Sequence, residues 1–155
     1  MKKLNFVLIA VVLTSAIAFT TSCSKKKGCT DSTSTNYDAD AKDDDGSCTY
    51  NGKVVFWYNE ATADSLVSNG ITSLTYYVNE KVIKTVDVIP NGYETSSPGC
   101  DDTDAFSVIV TEDLGDLKIA TFSYNIKDQD GDDVFGGING FVVTANSCNS
   151  IQLTY

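Results

Sequence analysis

From Tyr50 onward the chain is written in short apolar runs separated by Gly, Asp and Asn. The stretch "IATFSYNI" (119–126) alternates most clearly, with Ala120, Phe122, Tyr124 and Ile126 on one side and Thr121, Ser123 and Asn125 on the other. A period of two marks a strand with one face toward a core. "KVVFWY" (53–58), "SLTYYV" (73–78), "KVIKTV" (81–86), "AFSVIV" (105–110), "FVVTA" (141–145) and "IQLTY" (151–155) read as strands too. In "AFSVIV", Phe106, Val108 and Val110 share a face. Asn79-Glu80 is a two-residue link between neighbouring runs, the length of a tight hairpin. One piece, "EATADSLVSNG" (60–70), reads as a helical turn or a long loop. Short strands punctuated by turn residues predict an all-β sandwich over residues 51–155 rather than a parallel α/β sheet.

The N-terminus has a different texture. Lys2 and Lys3 precede an apolar stretch from Phe6 to Phe19. Fourteen helical residues span only ~21 Å, short of the ~30 Å hydrocarbon core of a bilayer. A basic start followed by a short apolar run predicts a secretory signal peptide over residues 1–22, not a membrane span.

Charge and cysteine count narrow the classes. The chain of 155 residues carries Lys+Arg 11 against Asp+Glu 21, a formal net charge of −10, and no histidine. That balance excludes a basic nucleic-acid footprint. Without histidine there is no Ser-His-Asp or Cys-His set, and no Gly-rich phosphate loop or Walker sequence occurs. Catalysis is therefore not expected. The five cysteines are Cys23, Cys29, Cys48, Cys100 and Cys148, an odd number. Setting Cys23 aside leaves an even set, which in an oxidising compartment reads as two disulfides. Three pairings are open. Cys29 and Cys48 flank one acidic segment, while Cys100 and Cys148 both lie in the strand-rich part, which favours 29–48 with 100–148.

The run ending in Thr20-Thr21-Ser22-Cys23 resembles a bacterial lipobox, with Thr20 where that family usually carries Leu. Looser boxes of this kind occur among Bacteroidota lipoproteins. The resemblance implies acylation of Cys23, which becomes the mature N-terminus and anchors the protein to the membrane. Three acyl chains, at ~0.8 kcal/mol per buried CH₂, hold such a protein essentially permanently. Ser24 after the cysteine implies transit to the outer membrane. Lys25, Lys26 and Lys27 differ from the acidic surface-export signals of Bacteroidota lipoproteins, so neither face of that membrane is specified. Residues 23–28 are then a lipidated basic tether.

Residues 29–50 form an acidic segment, expected to be closed by the 29–48 disulfide. Asp38, Asp40, Asp43, Asp44 and Asp45 are hard oxygen donors of the kind Ca²⁺ takes. EF-hand spacing fails, however. With Gly46 at the sixth loop position, Ala41 occupies the first and Gly52 the twelfth. The stretch "GCTDSTSTNYDADAKDDDGSC" resembles a recurrent motif of secreted Bacteroidota proteins, G-C-T-D-x-x-A-x-N-Y-x-x-x-A-x-x-D-D-G-S-C. Gly28 to Asp31, Asn36, Tyr37, Ala41 and Asp44 to Cys48 match it, and Ser34 replaces the usual Ala. That resemblance implies a disulfide-closed mini-module used as a linker, with weak calcium binding as the alternative. The Asp-rich "KDQDGDD" (127–133) between two strand runs reads as a hairpin turn.

The rest of the chain resembles a small β domain recurrent in Bacteroidota lipoproteins. The matching stretches are Gly52 to Trp57, Tyr77 to Asn79, Pro98 to Cys100, and "NSCNSIQL" from Asn146 to Leu153. The resemblance implies a transthyretin-like or immunoglobulin-like sandwich and a 100–148 bridge, and no activity. Trp57, Tyr58, Tyr76, Tyr77 and Tyr93 are the aromatic candidates for stacking on a ligand. Core or wall packing is the first reading of these aromatics, since about half the positions of alternating strands must be core. If Phe56 and Tyr58 point inward, Trp57 points outward and is the residue to test as a ligand surface. Together these readings predict a lipid-anchored, noncatalytic binding or interaction module of the cell envelope, its partner an envelope protein or glycan. The rival readings are a structural or assembly component of the envelope and a periplasmic inhibitor of a hydrolase. An exposed aromatic patch favours binding; charged edge strands favour a stand-alone spacer.

Overall fold

A computed structural model describes residues 25–102 and 106–155, with the backbone alone for residues 136–139. The signal peptide and Cys23 lie outside the described residues. Among those described, no helix is long and apolar enough to cross a membrane.

The body is a sandwich of two sheets. β3 (Tyr50–Tyr58) lies between antiparallel β6 (Val108–Gly115) and parallel β9 (Cys148–Leu153). The facing sheet runs in the order β5 (Lys81–Asp87), β4 (Ser73–Val78), β7 (Ile119–Lys127), β8 (Asp133–Thr144), antiparallel throughout. The period-two sides meet between the sheets. Val54, Phe56 and Tyr58 pack with Leu74, Tyr76, Val78, Phe122, Ile126, Phe141 and Val143 in one core. Phe56 and Phe141 meet edge to face at 5.9 Å.

Gly52 marks where the sheets come closest. A Cβ there would lie 2.6 Å from the Thr144 carbonyl oxygen and overlap Val143. At this corner the chain leaves β8 and crosses to β9. Asn146 N–H donates to the Asn51 carbonyl at 2.8 Å, and Lys53 N–H donates to that of Ser147 at 2.9 Å.

The segment 60–70 forms a helix, α1 (Glu60–Ser68), not a loop. Asn59 caps it by accepting the Thr62 N–H, and Thr62, Ala63 and Leu66 turn into the body. It stops at Gly70, whose φ of +74° lets Ile71 N–H reach back to the Leu66 carbonyl. The Asn79-Glu80 hairpin is present, both residues having positive φ, at 45° and 65°.

Four strands differ clearly in their bounds from the sequence reading. β3 already begins at Tyr50, ahead of Lys53. β6 begins at Val108 and runs on through the charged Thr111–Gly115, with Leu114 still buried. β8 begins at Asp133, well before the apolar run at 141–145. β9 begins at Cys148 and ends at Leu153. Ahead of the sandwich, the acidic segment has only a two-residue parallel bridge, β1 (Lys27–Gly28) with β2 (Asp43–Asp44).

Candidate binding face and the clipped collar

Both expected disulfides are formed, Cys29–Cys48 with Cα atoms 4.8 Å apart and Cys100–Cys148 with 5.6 Å. The first closes the acidic segment into a collar, whose motif residues have visible tasks. Asn36 bridges its two arms, donating to the Ser47 carbonyl at 2.6 Å and accepting the Thr49 N–H at 2.9 Å. Asp31 fastens the collar to the sandwich. Its Oδ2 receives Lys118 Nζ at 2.6 Å and the Tyr50 hydroxyl at 2.8 Å, while Oδ1 receives the Thr33 N–H and hydroxyl. The Lys118 ammonium, together with the Thr33 and Tyr50 donors, holds the Asp31 carboxyl well below the usual carboxylate range. Lys118 lies 5.3 Å from the Tyr50 ring centroid, and Asn146 Nδ2 donates to the Thr33 carbonyl at 2.5 Å.

The five aspartates considered for calcium do not converge. Asp38 is paired with Lys26 at 2.8 Å, and Asp43 with Lys25 at 3.5 Å. Lys26 also lies 3.7 Å from Asp40. Asp44 accepts the Gly46 N–H and Asp45 the Ser47 N–H, each closing a local turn. Among the described residues no three His, Cys, Asp or Glu side chains are grouped to hold a metal ion. The carboxylates serve turns and lysines instead. The "KDQDGDD" stretch is a turn as expected: Asp128 Oδ1 accepts the N–H groups of Asp130 and Asp132.

Trp57 corrects the expectation of an exposed aromatic. It turns away from the core that takes Phe56 and Tyr58, yet it is only 8% exposed. The segment 93–102 covers this outer face. Glu94 N–H binds the Tyr58 carbonyl, Lys53 pairs with Asp101, and Cys100 is bonded to Cys148. The Trp57 indole N–H donates to Ser150 Oγ at 2.8 Å, and Ser150 in turn meets Ser97 Oγ at 2.6 Å. β3 is thus buried on both faces. The unbroken apolar run Val54–Tyr58 carried that signal, because a strand with one solvated face shows polar alternate positions. Tyr58 and Tyr76 are likewise buried.

Of the aromatic candidates, Tyr77 takes the place Trp57 was expected to hold. It lies half-buried on the outer side of the four-stranded sheet, paired across strands with Asn125. With Glu80, Ser123, Tyr124, Asn125 and Lys127 it lines a concavity of about 330 Å³, at the lower end of the ligand-pocket range. The polar groups are held in place. Asp133 receives Asn125 Nδ2 at 2.9 Å and Lys127 Nζ at 3.0 Å, and these contacts lower its carboxyl pKa. The same Asp133 contact raises the pKa of Lys127, which is therefore a fixed cation at neutral pH. Asn125 Oδ1 is buried and has no hydrogen-bond partner among the described residues. Asn79 Oδ1 fixes Ser123 through its N–H at 2.9 Å.

Backbone irregularity accumulates here. β8 places residues 136–138 opposite Asn125 alone, because Tyr124 pairs with Asn139 and Ile126 with Phe135. Such bulges re-aim side chains beside functional sites. Glu80 holds a left-handed conformation, φ 65°, that disfavours a side chain. Sequence reasoning named Tyr77 and the outward Ser123 and Asn125, but not Glu80 or Lys127 as their neighbours. Only the pairing of β4 with β7 joins them.

No family model, curated protein or solved structure was found to match this chain.

Proposed function

We propose that the protein is a lipid-anchored, extracytoplasmic, noncatalytic binding module of the cell envelope, and that it binds through the Tyr77–Lys127 face. The observation that carries the binding half is the prearranged set at one concavity: an aromatic face, a fixed lysine, and an amide whose oxygen has no partner among the described residues. The aromatic face and the lysine are groups that take a sugar ring or a polar protein side chain. The two disulfides support an oxidising compartment and leave Cys23 as the odd cysteine, the one in the lipobox-like sequence. The chain's likeness to Bacteroidota lipoproteins supports the outer membrane as its place.

Site-specific photo-crosslinking from position 77 in intact cells tests the face, with position 84 on β5 as the control. Adducts to one envelope protein or glycan from position 77 alone are the expected result; equal labelling from both positions contradicts it. A second reading, a structural envelope spacer, is favoured by the covered Trp57 and by charged edges, Lys81 and Lys84 on β5 and Glu112 and Asp113 on β6. For that reading, position 77 yields no adduct.

A further inference from the structure

Three large apolar side chains are exposed at the end of the sandwich that carries the collar. Leu117 is 54% exposed, Ile119 59% and Val142 53%. Ile119 and Val142 share the outer face of the β7–β8 pair on a diagonal, since Thr121 is the direct partner of Val142 and Thr144 that of Ile119. Leu117 is in the turn just before Ile119, with Lys118 between them. An apolar face left to water is unfavourable unless something covers it.

Lys118 is the residue that grips Asp31, so the collar is tied to the same turn that carries Leu117 and Ile119. One further bond, Asn146 Nδ2 to the Thr33 carbonyl, holds the collar against this end. Lys25 is paired with Asp43 inside the collar at 3.5 Å, and Cys23 is two residues ahead of it, at most about 7 Å away even when fully extended. The far end of β7, at Lys127, is about another 26 Å away along the strand. An anchor at Cys23 therefore keeps the collar end at the membrane and the Tyr77–Lys127 face turned toward the aqueous side.

We infer that Leu117, Ile119 and Val142 rest against the bilayer in which Cys23 is anchored, a second contact that fixes how the sandwich stands on the membrane. The inference rests on the lipid-anchor reading proposed above. The three side chains enter the boundary between head groups and acyl chains, while Lys118 stays paired with Asp31. The occupant is the lipid surface itself, because the acyl anchor brings it to this end of the molecule.

The test uses the full acylated protein, reconstituted in phosphatidylcholine–phosphatidylethanolamine vesicles. Leu117→Cys, Ile119→Cys, Val142→Cys and, as control, Val82→Cys on the distant β5 edge each receive a nitroxide. All four positions are more than half exposed, so the label perturbs no packing. The expected result is a several-fold higher ratio of oxygen to nickel-chelate collisions at 117, 119 and 142 than at 82. Ratios equal to that of position 82, in a preparation whose N-terminal peptide carries acyl mass, overturn the inference and leave the anchor standing. Low accessibility to both reagents with dipolar broadening means that a second copy covers the patch, and this too overturns it. A preparation with no acyl mass on Cys23 sinks the anchor and the inference together.

Discussion

At the scale of single residues, two positions decide how the parts fit. Gly52 lets β3 and β8 approach to a distance that no Cβ tolerates, the Thr144 carbonyl being backbone that cannot swing away. Gly52→Ala is expected to destabilise the sandwich by about 1–3 kcal/mol in urea unfolding. Asp31 decides whether the collar is docked. Its carboxyl titrates in the folded protein below its unfolded value of 3.8, chiefly through Lys118. Docking by Asp31 is therefore at full strength above about pH 4 and is lost as pH falls through the lower folded value. Hydrogen exchange at Thr33 and Thr35 reads this directly. Protection at these amides is expected to fall only in strong acid for the native protein and to be low at every pH in Asp31→Asn. Unchanged protection in the variant removes Asp31 from its fastening role. Asp31 was visible in the sequence only as a motif position. Its partners Tyr50 and Lys118 lie far along the chain, so nothing in local spacing revealed them.

At the scale of elements, alternation was legible wherever a strand has one wet face. β4 and β7 were recovered almost to the residue, because Leu74, Tyr76 and Val78, then Ala120, Phe122, Tyr124 and Ile126, repeat every second position. The helix was read only as a turn or a loop, although Asn59 and Gly70 stand at its two ends as cap and stop. Where a strand is buried twice, or edges into solvent, the pattern misled. Trp57 was assigned outward from its parity, yet the cover over it comes from a polar segment stapled by a disulfide, with no periodicity of its own. β6 continues through Glu112 and Asp113 because it is an edge strand whose outer positions tolerate charge. The start of β8 contains Gly136-Gly137, which reads as a turn and is in fact a bulge facing Asn125. The hairpin at Asn79-Glu80 gives an element-scale prediction. Glycine at the second position relieves the left-handed strain, so Glu80→Gly is expected to raise stability by about 1 kcal/mol. Because Glu80 lines the candidate face, the same variant is expected to weaken crosslinking from position 77. A variant that is more stable and crosslinks as before places the binding contact elsewhere.

At the scale of the whole molecule, the protein is a rigid sandwich wearing a separately closed collar. The two disulfides divide the stabilising work between them. Cys100–Cys148 spans 48 residues and ties the cover of the outer face to β9. Its removal by paired alanine substitution is expected to cost ~4 kcal/mol by the loop-entropy relation, with Trp57 fluorescence shifting to the red. Removal of Cys29–Cys48 is expected to loosen the collar amides while leaving the sandwich transition in place, because Cys29 lies outside the sandwich core and Cys48 packs only against its edge. A single shared transition that collapses with either pair would contradict the two-part construction. The sandwich class and both pairings were legible from strand period and cysteine placement. The binding face was not, because β4 and β7, which build it, are separated in sequence by β5, the covering segment and β6.

The proposal as a whole turns on where the chain is held. Mass spectrometry of the N-terminal peptide, from protein purified out of the membrane fraction, reads this most directly. The account predicts a mature chain that begins at Cys23 and carries acyl chains on that residue. A soluble protein beginning at another residue, or a Cys23 with a free thiol, would contradict it.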